Sequence, residues 1–170
     1  MPAPADGLRE ELVTLLPRLR RFARALAGNS HDADDLVQTA VERALAHAAQ
    51  RRPDAQLAGW MFGILRNAWI DEQRARGRRA RLFAPGESAE SVADASSGEH
   101  AELLAVQDAL ARLPEEQRLA VALVLIEGLS YKEAAYVMEV PIGTLTSRLA
   151  RGRDALQTML GERSGGKAGR

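Results

Sequence analysis

The sequence predicts an all-α protein: two small helical bundles joined by a flexible acidic linker, the second bundle ending in a helix-turn-helix. Three observations carry that prediction. Apolar residues recur at helical spacing along most of the chain, and no segment alternates with the two-residue period of a strand. The stretch Ala84 to Glu99 holds one large apolar residue, Val92, among Pro85, Gly86, Gly98 and serines, too little to join a core. Gly128 to Arg153 reads as two short helices around a tight turn.

Taken in order, Asp6 to Ala27 places Leu8, Leu12, Leu15, Leu16, Leu19, Phe22, Ala23 and Leu26 at helical spacing, with Pro17 expected to kink or break the helix. Gly28-Asn29-Ser30 ends that helix and offers a cap for the next. Asp32, Asp34 and Asp35 then fall in a first turn, where the helix dipole favours negative charge. Leu36, Val37, Ala40, Val41, Ala44, Leu45 and Ala48 continue the stripe to about Gln50. Arg51-Arg52-Pro53-Asp54 is a polar loop with a breaker, and a third helix is expected from about Gln56 to Arg76. Leu103, Leu104, Val106, Leu110 and Leu113 form the next stripe, ended by Pro114. Glu115 to Glu127 follows as a Leu- and Val-rich helix closed by Gly128. Two more helices start at Tyr131 and near Gly143. The expected boundaries are a first unit over 1–81, a linker over 82–100, a second unit over 101–160 and a disordered tail over 161–170.

Composition narrows the function classes. Aromatic residues make up only 4% of the chain against 46% hydrophobic, so the core must be built from Leu, Val and Ala, as in small bundles. The absence of cysteine excludes a disulfide framework, a thiolate zinc site and a cysteine nucleophile. No run approaches the ~20 apolar residues of a membrane span, and no secretory signal is visible, so no membrane insertion and a cytoplasmic location are expected. His31, His47 and His100 are far apart, and Gly165-Gly166-Lys167 lacks the strand and helix of a phosphate loop. No enzyme activity, metal or cofactor is expected. The formal charge is zero, with 23 basic and 23 acidic residues, but the charges are segregated. Arg66 to Arg81 holds six arginines and two acids, Leu82 to Leu103 five acids and no Lys or Arg, and Gly143 onward six basic residues and two acids. Two basic blocks around an acidic one suggest two anion-facing surfaces.

The second basic block is the more specific. Ser130 with Glu133 makes a capping box that starts a helix at Tyr131. Met138-Glu139-Val140 makes the turn, Pro141 stops the first helix from continuing, and Thr144 opens the second. Projected at about 100° per residue, Leu145, Leu149 and Leu156 share a core face with Gly152 between them. Gly143, Ser147, Ala150, Arg151 and Asp154 point away, with Thr144 and Thr146 on the flanks and Arg148 and Arg153 nearer the core edges. Hydroxyls and arginines at a helix N-terminus suit the base edges and phosphates of a major groove.

In the third helix the apolar face centres on Leu65, with Ala58, Met61, Phe62 and Trp69 around it. Opposite lie Gly63, Asn67, Asp71 and Arg74, with Trp60 at the border. Trp69 is read as core. Trp60 beside Asn, Asp and Arg can stack an unpaired base and bond its edge.

These residues resemble a family. Asp34-Asp35-Leu36-Val37-Gln38, Trp60 to Asn67, and Asp71-Glu72 with its arginine run resemble the first conserved domain of bacterial sigma factors. Leu113 to Arg118, Gly128 to Glu133 and Pro141 to Arg148 resemble their last domain, and the presence of only these two resembles the extracytoplasmic-function group. The resemblance implies that Asp34, Asp35, Leu36 and Gln38 dock on the clamp helices of core RNA polymerase. It implies that Arg51, Arg52, Trp60, Asn67, Asp71 and Arg74 meet the melted −10 element. It implies that Ser130, Thr144, Thr146, Ser147, Arg148, Arg151 and Arg153 meet the −35 duplex, while the last domain touches the polymerase flap and the acidic linker threads toward the RNA exit path. An anti-sigma protein is the implied regulator of a chain that is monomeric when free. The chain departs from the family pattern at Thr39, where an acid is usual, at Glu139, where glycine is usual, and at Thr146, often Lys or Arg. Two other readings remain open at this point: a sigma-like decoy that binds an anti-sigma protein, and a plain helix-turn-helix regulator.

Overall fold

The structure is a computed structural model that describes residues 4–83 and 98–165. Helices α1 (Pro4–Ala27), α2 (Ser30–Ala46) and α3 (Leu57–Leu82) form the N-terminal group. A short 3-10 turn, Ala48–Gln50, begins the loop between α2 and α3. Helices α4 (Gly98–Arg112), α5 (Glu115–Val121), α6 (Tyr131–Met138) and α7 (Ile142–Gly165) form the C-terminal group. Among the described residues there is no strand.

Local chemistry explains most boundaries. The Asn29 side chain accepts the Asp32 backbone N–H at 2.8 Å and starts α2. Gly128, at φ +70°, supplies the left-handed residue before α6. Three expectations need correction. Helix α1 runs through Pro17, whose ring sits on the exposed side, so the helix loses one backbone donor without ending there. Helix α3 does not stop near Gly77; Glu72 accepts from Arg76 at 2.9 Å and Arg79 at 3.0 Å, tying successive turns together as far as Leu82. Helix α7 continues past residue 160 to Gly165, so the first residues of the expected disordered tail are helical. The rest of that tail, 166–170, and most of the linker, 84–97, lie outside the described residues.

The predicted helix Glu115 to Glu127 is also altered. It leaves α geometry after Val121 and finishes as a π-helical turn, Ala122–Ile126, in which the Glu127 N–H reaches the Ala122 carbonyl at 3.0 Å.

The two helix groups share one core. Phe22, Phe62, Leu19, Leu26, Met61 and Leu65 fill the N-terminal side, and Leu123, Leu145, Leu149 and Val121 the C-terminal side, all essentially inaccessible to water. Phe22 and Phe62 meet edge to face with centroids 5.1 Å apart. Burying each such side chain contributes roughly 1.5–3 kcal/mol. Helix α1 packs on α4 and on the π turn, and α3 packs on α6, so the apolar cluster runs without a break from one group to the other. A flexible linker of the kind the sequence predicts permits both an extended and a closed arrangement, and the structure is closed.

Candidate nucleic-acid interface

The α6–turn–α7 unit is held from its first residue. Ser130 Oγ accepts the Glu133 N–H at 3.2 Å, and Glu133 Oε2 accepts the Ser130 N–H at 2.8 Å, a complete capping box. The Ser130 hydroxyl also donates to that carboxylate at 2.8 Å, and these bonds, the side-chain one foremost, hold the Glu133 carboxyl below the usual range. At the turn, Glu139 adopts φ 56° and ψ 43°, the left-handed region, and is the one non-glycine residue to do so among those described. Its N–H bonds to the Tyr136 carbonyl at 3.1 Å, and the Val140 N–H bonds to that of Ala135 at 3.1 Å. These bonds close the end of α6, and Pro141 follows.

Helix α7 is anchored by Leu145 and Leu149, 0% and 2% exposed. Gly152 lets it approach α5 closely: a Cβ there would lie 2.7 Å from a Val121 methyl. Leu156 is half-buried. Gly143, Thr146, Ser147, Ala150, Arg151, Arg153 and Asp154 are exposed, and Thr144 is half-buried. Two of these reading groups are already engaged. The Thr146 hydroxyl donates to the Ile142 carbonyl at 2.8 Å, leaving its lone pairs free to accept. Arg148 is mostly buried and ion-paired with Glu116 at 3.0 Å. No ion pair reaches Arg151 or Arg153 among the described residues.

The face on α3 is built differently. Trp69 is core, 3% exposed, with the Arg118 guanidinium 5.6 Å over its ring. Burial at that point pulls the Arg118 pKa down from its ordinary value. Trp60 is half-buried at the rim of a groove of 700 Å³ shared with Leu129, Val137 and Tyr136. Asn67 is exposed and accepts from Arg66 at 3.2 Å. Asp71 is ion-paired with Arg43 of α2 at 2.9 Å. Arg74 is exposed in a basic cleft of 620 Å³ lined also by Arg66, Arg78, Arg81 and, from α7, Arg148. Before α3, Arg52 is exposed, whereas Arg51 is half-buried and donates to the Ala55 carbonyl at 3.2 Å, bracing the loop.

On α2, Asp34, Asp35 and Gln38 are exposed and Leu36 is buried, 7% exposed. Leu36 therefore holds the helix against α1 and α3 while the polar residues face outward. Neighbouring His31, Asp32 and Asp35 bring ligand atoms within 4.8 Å of one another. Asp32, however, already accepts from Asn29 and pairs with Arg76 at 3.0 Å, so the cluster is accounted for within the protein.

Sequence reasoning missed the polar groups between the two helix groups. Arg18 and Arg21 of α1 both bind Glu127, Arg118 donates to the Leu26 carbonyl at 2.9 Å, and Arg66 pairs with Glu139 at 3.3 Å. One signal was available: Glu127 is the only charged residue between Leu119 and Leu129, otherwise apolar or glycine. A carboxylate there calls for a partner.

Residues 12–66 match the family described as the Sigma2 domain of PhyR, and residues 103–156 match Sigma-70, region 4. The chain is 38% identical over 156 residues to "ECF RNA polymerase sigma factor EcfG" of Rhodopseudomonas palustris (strain TIE-1), covering 91% of this chain and 86% of that protein. It is 40% identical over 144 residues to "ECF RNA polymerase sigma factor SigM" of Mycobacterium tuberculosis, covering 85% of this chain and 72% of that one. Among solved structures it is similar to the sigma factor RpoE in complex with the anti-sigma factor NepR from Bartonella quintana. That match has a TM-score of 0.77 at 32% identity and covers 96% of this chain and 99% of the other.

Proposed function

The chain belongs to the extracytoplasmic-function (ECF) RNA polymerase sigma factors, and we propose from its geometry how its residues divide that work. It directs core RNA polymerase to specific promoters and initiates transcription there, under the control of an anti-sigma protein. The observation that carries the division of labour is the outward face of α7. Leu145 and Leu149 fix the helix, while Ser147 and Arg151 stand exposed on its second and third turns. That face enters the major groove of the −35 element, with Thr144 and Thr146 at its flanks and Arg153 on the backbone. Arg148 joins it after exchanging Glu116 for phosphate. Ser130 holds the unit through its cap.

Residues 1–81 grip the polymerase and the −10 element. Asp34, Asp35 and Gln38 on α2 supply the polymerase contact, and Trp60, Asn67 and Arg74 on α3, with Arg52 on the preceding loop, receive unpaired bases and their phosphates. Asp71 and Arg51 are tied to Arg43 and Ala55 in the free protein, so their share is to shape the face until DNA displaces those partners. The protein catalyses no reaction of its own and works in the cytoplasm as a monomer until it meets polymerase; no helix among the described residues is long and apolar enough to cross a membrane.

Transcription from a promoter library with purified core polymerase tests this reading. Initiation at sites sharing a two-element motif is the expected result. Tight polymerase binding without initiation would point to a decoy instead. Arg151→Ala should weaken −35 binding by ~1–3 kcal/mol and relax preference at one base pair. Unchanged promoter preference and affinity would remove Arg151 from the site.

A further inference from the structure

Among the described residues Glu127 is the one charged residue in the buried set, and its side chain is 0% exposed. Every charged group that satisfies it comes from the opposite end of the chain. Arg21 meets it in a fork, Nε to Oε1 at 2.9 Å and Nη2 to Oε2 at 3.0 Å. Arg18 adds Nε to Oε2 at 3.2 Å and Nη2 to the Glu127 carbonyl at 3.3 Å, with its guanidinium 5.2 Å above the Phe62 ring. This bonding raises the Arg21 pKa above its ordinary value, first through the hydrogen bond to Glu127 and then through its charge.

The backbone is shaped for this contact. The π turn Ala122–Ile126 inserts an extra residue into the end of the α5 helix and so re-aims the chain beyond it, and Glu127 is the first residue after the turn. Gly128, at φ +70°, then turns the chain away, and the Leu129 N–H closes on the Leu123 carbonyl at 3.0 Å. A second cross-group pair, Arg66 to Glu139 at 3.3 Å, comes from the left-handed turn residue. Arg66 precedes Asn67 on α3, and the groove holding Trp60 has α6 residues Val137 and Tyr136 as its other wall. The closed arrangement therefore lays α6 against the Trp60 end of the α3 face assigned above to the −10 element, while Asn67 and Arg74 stay exposed. The α2 residues Asp34, Asp35 and Gln38 stay exposed.

We propose that Glu127, aimed by the π turn at Arg18 and Arg21, is a charge latch that holds the two helix groups closed and keeps α6 against the Trp60 end of the α3 face until the protein is engaged. The α3 part rests on the −10 assignment above; the latch itself does not. A buried carboxylate between two guanidiniums is stable only while all three are present, because removing one partner leaves an uncompensated charge. Separating the groups returns all three to water, so opening is the relief available to a broken latch. Arg66 and Glu139 form a weaker outer clasp, since Glu139 is 77% exposed.

The absence of cysteine allows the full-length chain to be spin-labelled at two introduced sites, Ala46→Cys on α2 and Gln157→Cys on α7, both exposed. The native background should give one narrow distance distribution. Glu127→Gln and Arg21→Gln should each shift the population away from that distribution to a broader one, changing the closed-to-open ratio by about tenfold or more. The double variant should add little to either single change, because both break the same contact. Arg21 is half-exposed on α1, so Arg21→Gln decides the matter if Glu127→Gln loses helicity. A native distance distribution in a folded Glu127→Gln or Arg21→Gln protein would overturn the latch. Binding of a single-stranded −10 oligonucleotide separates the two parts. Tighter binding by the opened variants supports covering of the Trp60 end of the α3 face. Opened variants that bind no better overturn the covering while the distance shift upholds the latch.

Discussion

Gly152→Ala isolates packing from helix propensity. In an exposed helix interior, alanine is worth about 1 kcal/mol over glycine. At residue 152 a Cβ would lie 2.7 Å from Val121 Cγ2 and 3.3 Å from the Gln117 carbonyl oxygen. Neither neighbour yields easily. Val121 is 2% exposed and β-branched, with essentially one rotamer in a helix, and the carbonyl belongs to the α5 backbone. Relief requires α5 and α7 to move apart and loosen the packing around Leu145 and Leu149. Overpacking of this kind costs ~1–3 kcal/mol, and with a contact as close as 2.7 Å the upper part of that range applies, so after the propensity gain the net loss is ~1–2 kcal/mol. For a chain of 170 residues that lowers the melting temperature by roughly 2–8 °C. Thermal unfolding followed by circular dichroism measures it. Gly63→Ala is the control: it lies inside α3 with nothing within 4 Å of a Cβ, and should be stabilising by ~0.5–1 kcal/mol. A Gly152→Ala protein as stable as the parent, with the control behaving as expected, would refute the close approach of α5 and α7.

Ser130→Ala removes the two bonds made by the Ser130 hydroxyl, leaving its N–H on Glu133, and should cost about 1 kcal/mol, read as a lower urea midpoint; an unchanged midpoint would mean that the cap is replaced by water. Glu139→Gly relieves a left-handed residue but loses the exposed pair with Arg66 and adds chain entropy to the unfolded state, so stability should stay within about 1 kcal/mol, whereas Glu139→Val should lose ~1–2 kcal/mol. A large loss in Glu139→Gly would show that the Arg66 pair does more than its exposure implies. The Asp32 carboxyl is held below its ordinary value, first by the Asn29 side chain and then by Arg76. A depressed carboxyl pKa stabilises the fold above the ordinary carboxylate range, and that contribution disappears as pH falls through the folded-state value. Asp32→Asn should therefore be less stable than the parent at pH 7, and the gap should narrow below about pH 4; denaturant midpoints at the two pH values test it, and a constant gap would refute the titration.

The elements that were legible are those whose cause is local. The Ser130–Glu133 box, the Asn29 cap, the left-handed Gly128 and the Pro141 stop each depend on residues within a few positions of one another. The face of α7 was readable for the same reason, since a helix turns by a fixed angle per residue and Leu145 and Leu149 mark its buried side. Pro17 misled because a proline removes one backbone donor, and a helix with a packed apolar stripe can lose that donor on its solvent side. The far end of α3 was misjudged because Gly77 reads as a stop, while the Glu72 bonds to Arg76 and Arg79 hold the helix across it. Arg148, Asp71 and Arg51 show the limit within the site: helix position marked the first two as candidates and the family resemblance the third, but their present partners, Glu116, Arg43 and Ala55, lie on other helices or around a loop.

By itself the sequence determined most of the helices, the capped helix-turn-helix and the exposed hydroxyls and arginines on α7, because short-range hydrogen bonds and helical periodicity are written in neighbouring residues; the sigma-factor family was legible separately, through the resemblance of its motifs. Tertiary structure alone decided that the two helix groups are closed on each other. That outcome depends on where a π turn points Glu127 and on whether Arg18 and Arg21, more than a hundred positions earlier, stand close enough to compensate its charge. Burial makes such a contact decisive, and burial is a property of the packed molecule.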